Sequence, residues 1–150
     1  MALVIEGEER ISAPIGKVWE ALNDPAVLKE CIPGCESLVK NSDTDMAATV
    51  VLKIGPIKAT FNGAVTLKNL NPPHSYTIEG EGKGGIAGFA KGGADVTLAE
   101  DGADATVLKY AAKADVGGKI AQLGSRLITS TSKKLAGEFF STFGQKVGGS

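Results

Sequence analysis

Gly117-Gly118-Lys119-Ile120-Ala121-Gln122-Leu123-Gly124-Ser125-Arg126-Leu127-Ile128, running on through Leu135, Phe139 and Phe140 to Phe143, is the stretch that decides the fold. Apolar side chains at 120, 123, 127, 128, 135, 139, 140 and 143 recur at the spacing that lines one side of a helix. A glycine pair precedes the stretch, Gly144 with Gly148-Gly149 follows it, and no proline occurs after Pro73. The spacing predicts one helix of about 25 residues, roughly 37 Å long. The middle of its apolar side in the first half carries Gly124, Leu127 and Thr131, two of them with little bulk. Interiors are close-packed, so small residues there mean either a close neighbouring backbone or space left for something else. Glu138 falls at the edge of the stripe and reads as solvated.

Working outward, 150 residues suit one domain with one core, residues 1–150. A hydrophobic share of 43% excludes a disordered chain, and a net charge of -1 with both signs interspersed gives no footprint for nucleic acid. No apolar run is long enough to span a membrane, and Met1-Ala2-Leu3-Val4-Ile5 meets Glu6 at once, so neither a span nor a secretory signal is expected. The chain is expected to be cytoplasmic. Twenty glycines against 5% aromatic residues imply a chain rich in turns or one that lines a space with bare backbone.

Toward the N-terminus, Leu3, Ile5 and Ile11 at odd positions with Glu6, Glu8 and Arg10 between them predict a strand with one wet face. Ala13-Pro14 and Asp24-Pro25 each open a short helix, with Val18, Trp19 and Leu22 inward on the first and Val27, Leu28 and Cys31 on the second. From Glu36 to Val116 the apolar period becomes two and about six antiparallel strands follow, separated by Asn41-Ser42-Asp43, Gly55-Pro56, Asn71-Pro72-Pro73, the glycine-rich reach Gly80 to Gly93, and Glu100-Asp101-Gly102. Only the last helix is long enough to cover such a meander, so the fold class is α+β, a curved sheet gripping a helix. Gly92, Ala94, Ala112 and Ala114 offer little bulk where the late strands should meet it. With Gly124 and Thr131 they favour an internal cavity, bounded by Phe61, Phe89, Tyr110, Leu123 and Leu127 and suited to an apolar molecule.

Gly80-Glu81-Gly82-Lys83-Gly84-Gly85 satisfies the G-x-G-x-x-G pattern, but dinucleotide binding needs a helix after it and here another strand follows; the segment reads instead as a bulged, mobile strand pair near a pocket mouth. Cys31 and Cys35 are the only cysteines, too few for a structural zinc site, and their spacing lacks the C-x-x-C turn of a redox pair; ordinary burial is favoured. His74 is the single histidine and sits in a turn, and Asp95, Asp115 and Glu138 fall on polar faces or edges, so no catalytic constellation assembles. Lys119, Arg126, Lys133, Lys134 and Lys146 make the last helix basic outside. Phe139, Phe140 and Phe143 at its expected exposed end also suit a protein or membrane surface.

Ala13-Pro14 with Val18-Trp19 and Asp24-Pro25, Ile32-Pro33-Gly34-Cys35-Glu36, Gly55-Pro56-Ile57-Lys58-Ala59 with Phe61-Asn62-Gly63, and Gly118 to Leu127 together carry a pattern. Along nearly its whole length the chain resembles the CoxG-like family, that of the carbon monoxide dehydrogenase G-subunit, within the START-like, helix-grip superfamily (SRPBCC). The resemblance implies a seven-stranded sheet around the C-terminal helix with a lipophilic cavity between them. It also implies an accessory role beside a molybdenum hydroxylase of the carbon monoxide dehydrogenase type, in membrane and quinone association or in assembly, with peripheral contact at the inner face of the cell membrane. Some relatives carry a C-terminal extension that could anchor them. This chain stops at Ser150 without one, which shifts the expectation toward a soluble carrier or assembly factor.

The expectation is therefore non-catalytic binding of a hydrophobic ligand, a quinone or lipid, at Phe61, Phe89, Tyr110, Ala112, Leu123, Gly124, Leu127 and Thr131, with no cofactor, metal or nucleic acid. The rival within the same superfamily is an enzyme, a cyclase, dehydratase or hydrolase acting on a small apolar substrate in that cavity. A third reading is an interaction protein working through its phenylalanine-rich helix end.

Overall fold

Period-two alternation at the N-terminus becomes β1 (Ala2–Ile11), whose odd residues face inward and whose even residues face water. The structure is a computed structural model describing residues 2–148. After β1 come α1 (Ile15–Leu22) and α2 (Pro25–Cys31). Asp24 accepts a hydrogen bond from the Ala26 amide at 2.9 Å and Pro25 stands in the first turn, which is why α2 starts where it does. Six strands follow: β2 (Cys35–Lys40), β3 (Asp45–Ile54), β4 (Ile57–Asn71), β5 (Ser75–Lys83), β6 (Phe89–Glu100) and β7 (Thr106–Gly117). The last element is α3 (Ser125–Gly148).

The seven strands form one antiparallel sheet in the order β1-β7-β6-β5-β4-β3-β2. Strands β2 to β7 are a meander, and β1 reaches back to pair with β7, so α1 and α2 carry the chain from one edge of the sheet to the other. Fully buried Thr106 donates its hydroxyl to the Ala13 carbonyl at 2.8 Å, fixing the start of β7 to the β1–α1 junction. Between β3 and β4, Ile54 pairs with Ile57 across a two-residue turn that Gly55 enters at φ 57°, a left-handed conformation native to glycine.

The concave face does not carry one continuous core. The larger apolar cluster joins Ile11, Val18, Leu22, Leu28, Met46, Leu67, Tyr76, Leu108, Phe143 and Val147 under α1, α2 and the C-terminal half of α3. A smaller one at the other end holds Ile54, Phe61, Ala87, Val116, Ile120 and Ile128. Each large apolar side chain removed from water stabilises the fold by about 1.5–3 kcal/mol, so both clusters hold the helix to the sheet.

The terminal helix differs from its expected bounds. Lys119–Leu123 is a short 3-10 turn, and α3 begins only at Ser125. Two glycines force the separation: Gly118 at φ 83° enters the turn and Gly124 at φ 96° leaves it, both in the left-handed region. The Gly124 carbonyl then accepts the first helical hydrogen bond, from the Ile128 amide at 3.1 Å. At the other end α3 runs on through Gly144 to Gly148, past the glycine expected to end it; Gly144 lies beside Glu9 of β1 and Gly148 beside Ser12, just after that strand, both at ordinary contact distance. Phe143 is 0% exposed and Phe139 and Phe140 are half-buried against the larger cluster, so the aromatic end of the helix is core and not an exposed surface. The glycine-rich reach is also more regular than expected: β5 and β6 pair without a register shift from Ser75 opposite Thr97 to Lys83 opposite Phe89, with a 3-10 turn at Gly85–Ala87. No described helix is long and apolar enough to cross a membrane.

Candidate functional site: an apolar cavity between sheet and helix

A cavity of about 410 Å³ separates the two apolar clusters. Its roof is one stripe of α3, Ile128, Thr131, Ser132, Leu135, Ala136 and Phe139, which recur at three- and four-residue spacing and so share a helix face. Val50, Leu52 and Ile54 of β3 with Phe61 of β4 form one wall. Ile32 and Pro33, just past α2, close one end, and Val116 and Ile120 contribute from the end of β7 and the 3-10 turn.

The floor explains why the space exists. Register places Gly63 of β4 opposite Gly82 of β5, and Gly82 opposite Ala90 of β6. Three neighbouring strands thus present nothing larger than a methyl group in one row. A Cβ built at Gly82 would meet no atom within 4 Å, and one at Gly63 would meet only carbonyl oxygens, the nearest at 3.6 Å. Meanwhile α3 packs among the strands mainly on β1, so it covers one flank of the sheet closely and stands off from β3 to β5. The small residues at Gly92, Ala94, Ala112 and Ala114 do not bound the space.

Of the residues expected to bound the cavity or hold its ligand, Phe61 and Thr131 line it. Phe89 does not: it lies on the outer face opposite Gly117, over which its ring rests, and is 43% exposed. Tyr110 faces inward but stacks on Phe140 in the larger cluster, and Ala112 stands on the same strand, one inward position on, opposite Ile5 of β1. Leu123 and Leu127 pack against the smaller cluster from outside, Leu127 over the turn at Gly55. Gly124 is exposed. Sequence reasoning missed the floor, whose signal was there in Gly63, Gly82 and Ala90; recognising it required the strand register.

The lining offers little polarity. Thr131 and Ser132 carry its polar side chains, and among the described residues no ionisable one belongs to it. Its walls retain partial exposure at Ile32, Pro33, Val50, Leu52, Thr131 and Leu135, so the space communicates with solvent. Elsewhere, Asp95, Asp115, Glu138 and His74 are exposed and stand outside the cavity. Burial pushes the Cys31 and Cys35 thiols above their ordinary value, which disfavours the reactive thiolate; both are free cysteines. Among the described residues no group of three His, Cys, Asp or Glu could hold a metal ion. Gly80 to Gly85 leads from a strand through a 3-10 turn into another strand, without the helix that phosphate binding requires.

The model of one protein family, CoxG, the G-subunit of carbon monoxide dehydrogenase, matches residues 7–148. No curated protein matches at a significant level. Among solved structures, a conserved protein from Geobacillus kaustophilus superposes with a TM-score of 0.90 at 28% identity, covering 97% of this chain and 95% of that one. The ZhuI aromatase/cyclase from Streptomyces sp. R1128 gives a TM-score of 0.72 at 10% identity, covering 98% of this chain and 94% of that one. Norcoclaurine synthase from Thalictrum flavum gives 0.64 at 16% identity over 98% of this chain and 94% of that one. At such identities the last two share the fold alone. With the family model spanning nearly the whole chain and the sheet wrapped around α3 as in these helix-grip structures, the chain belongs to the CoxG family, that of the carbon monoxide dehydrogenase G-subunit.

Proposed function

We propose that the chain is a non-catalytic carrier of a hydrophobic molecule, a quinone or lipid, serving a molybdenum-containing oxidoreductase of the carbon monoxide dehydrogenase type. The observation that carries this reading is the cavity of about 410 Å³. Its volume falls within the roughly 300–1,000 Å³ of small-molecule sites. Its walls are aliphatic and aromatic, and two hydroxyls on one turn of α3, Thr131 and Ser132, are the side-chain groups available to orient a carbonyl. Acid–base catalysis calls for a titratable group within reach of the reacting atoms. Among the described residues the lining supplies none, which supports binding over turnover. The family's name points to the partner enzyme, and delivery of a quinone between membrane and enzyme is a role that such a container suits.

The test is a titration of the purified chain with a detergent-dispersed quinone, together with native mass spectrometry of protein taken from its own host. Saturable one-to-one uptake or a lipophilic adduct is expected. An empty protein in repeated preparations, with no quinone affinity up to the solubility limit, overturns the proposal. Conversion of a bound molecule on the protein would favour the enzyme reading instead.

A further inference from the structure

The two edges of the sheet are finished differently. At one, β2 is six residues long, a bulge breaks its register between Cys35 and Ser37, α2 packs beside it, and Lys40 at its end donates to the Asn23 carbonyl. Shortness, bulges, lysine and a covering helix are the devices that keep an edge from pairing with another chain. At the other edge, β1 runs ten residues without proline, lysine or a register shift, and among the described residues it pairs with β7 alone. The backbone N–H and carbonyl of every second residue of β1 therefore point away from the sheet.

The flank beside this edge is bare. Gly137, Ser141, Gly144 and Gly148 share one stripe of α3, with Gly144 beside Glu9 and Gly148 beside Ser12, so the helix presents nothing larger than a hydroxymethyl group there. The Tyr110 ring reaches across from β7 until its hydroxyl lies over Gly7, and among the described residues that hydroxyl has no hydrogen-bond partner. Along the edge itself, Leu3, Val4 and Ile5 make the N-terminal part apolar, Val4 being 58% exposed, and Glu6, Glu8 and Glu9 make the middle acidic. Arg10 is taken by Asp101 at 2.8 Å. Lys109, Lys113 and Asp115 of β7 stand opposite Glu8, Val4 and Ala2, and Lys133, Lys134 and Glu138 lie toward the far end of the α3 stripe. A strand added outside β1 would run about 5 Å from the β1 glutamates and about 10 Å from the β7 charges, a separation at which salt already screens.

We propose that the free edge of β1 takes up an extended segment of a partner protein as an added antiparallel strand, its cations opposite Glu9, Glu8 and Glu6 and its apolar side chains opposite Ile5, Val4 and Leu3. Main-chain hydrogen bonds to the edge supply the affinity and the cross-strand side chains supply the choice. A polar residue between the cations would meet the Tyr110 hydroxyl above Gly7. A second copy of this chain is a poor occupant. Full overlap of two β1 strands sets Ala2 opposite Arg10 and hence Glu6 opposite Glu6, and the next register in step with the pleat sets Glu6 opposite Glu8. Like charges directly opposite destabilise a strand pair. The glutamates thus turn away the chain itself and favour a basic strand. Uptake of such a strand is separate from ligand carriage and does not depend on what fills the cavity.

The experiment is fluorescence anisotropy of a labelled, end-blocked heptapeptide titrated with the full chain, combined with hydrogen exchange of the β1 amides. The peptide carries lysine in its first, second and fourth places, serine in the third and valine in the rest; the control is the same peptide with its order reversed. Saturable binding that weakens with added salt is expected, with slowed exchange between Leu3 and Glu9 and weaker binding of the reversed peptide. Glu6→Lys and Glu8→Lys should each lower the affinity about fivefold and together about twentyfold. Both positions are exposed, and an unchanged thermal unfolding curve confirms that the variants fold. The peptide controls leave the chain untouched, so they decide the matter even if a variant does not fold. Absence of saturable binding overturns the proposal, as does equal or tighter binding of the reversed peptide, binding without slowed exchange in β1, or wild-type affinity in the double variant. Self-association of the chain that protects the same amides without peptide overturns it in favour of a second copy.

Discussion

Tyr110 of β7 lies face to face with Phe140 of α3, ring centroids 4.5 Å apart and planes 15° from parallel. Gly7 on β1 leaves room for the tyrosine, since a Cβ there would sit 2.9 Å from its Cε1. Phe139 meets Phe140 edge-on at 4.9 Å and stacks over Phe143 at 6.0 Å. This aromatic group clamps the C-terminal half of α3 to one flank of the sheet and leaves the stripe through Thr131 and Leu135 over the hollow. Phe140→Ala is therefore expected to destabilise the fold by about 2–4 kcal/mol, through lost burial and a lost ring pair. Urea unfolding measures it. An unshifted midpoint would mean that the stack does not hold the helix.

Stability should decline in alkali. Burial raises the Cys31 and Tyr76 values, and a hydrogen bond to Glu30 raises that of Lys146. A group whose value is raised on folding contributes stability that is intact below its unfolded value and is lost as pH climbs through the folded one. The thiol acts first, from its ordinary 9.0 upward. The unfolding temperature should hold steady below that pH and fall above it, and Cys31→Ala should shallow the first part of the fall. A variant with the wild-type slope would assign the loss to other groups.

The two short helices, the strand meander and the long terminal helix were legible because each rests on local signals: Asp24-Pro25 as a helix start, alternation from Met46 to Ile54, a helical stripe from Ile128 to Phe143. The cavity was legible only as a surplus of small residues. Its position depends on which small residues fall in one cross-strand row, and that is decided by long-range register: Gly63, Gly82 and Ala90 align, while Ala112 and Ala114 lie opposite Ile5 and Leu3 on β1. Phe89 and Gly124 were misplaced for local reasons instead: parity along β6 turns Phe89 outward, and a φ of 96° removes Gly124 from the helix that its spacing suggested.

Two glycines of the terminal region should respond to alanine with opposite signs. Gly124 has open space where a Cβ would go, so Gly124→Ala isolates the strain of the left-handed backbone, about 1–2 kcal/mol of destabilisation. Gly137 also has open space but sits inside α3, where Gly137→Ala should stabilise by about 0.5–1 kcal/mol through higher helix propensity. Thermal unfolding of the two variants decides it. Shifts of the same sign would contradict the separation of the 3-10 turn from α3.

Filling the hollow from either side tests whether it is the site. Gly82→Val enters from the floor, where no atom lies within 4 Å of the new Cβ and a β-branched residue suits the strand. Ala136→Leu enters from the roof. Because each side chain grows into empty space, overpacking is avoided, and stability should stay level or rise by about 1 kcal/mol. In the wild-type chain a quinone at a hundredfold excess over its Kd should raise stability by about 2.7 kcal/mol, read as a thermal shift. Both variants should lose most of that shift, with affinity down at least about tenfold, since the remaining volume no longer admits the ring. A folded Gly82→Val variant that keeps the full shift would place the bound molecule somewhere other than between sheet and helix.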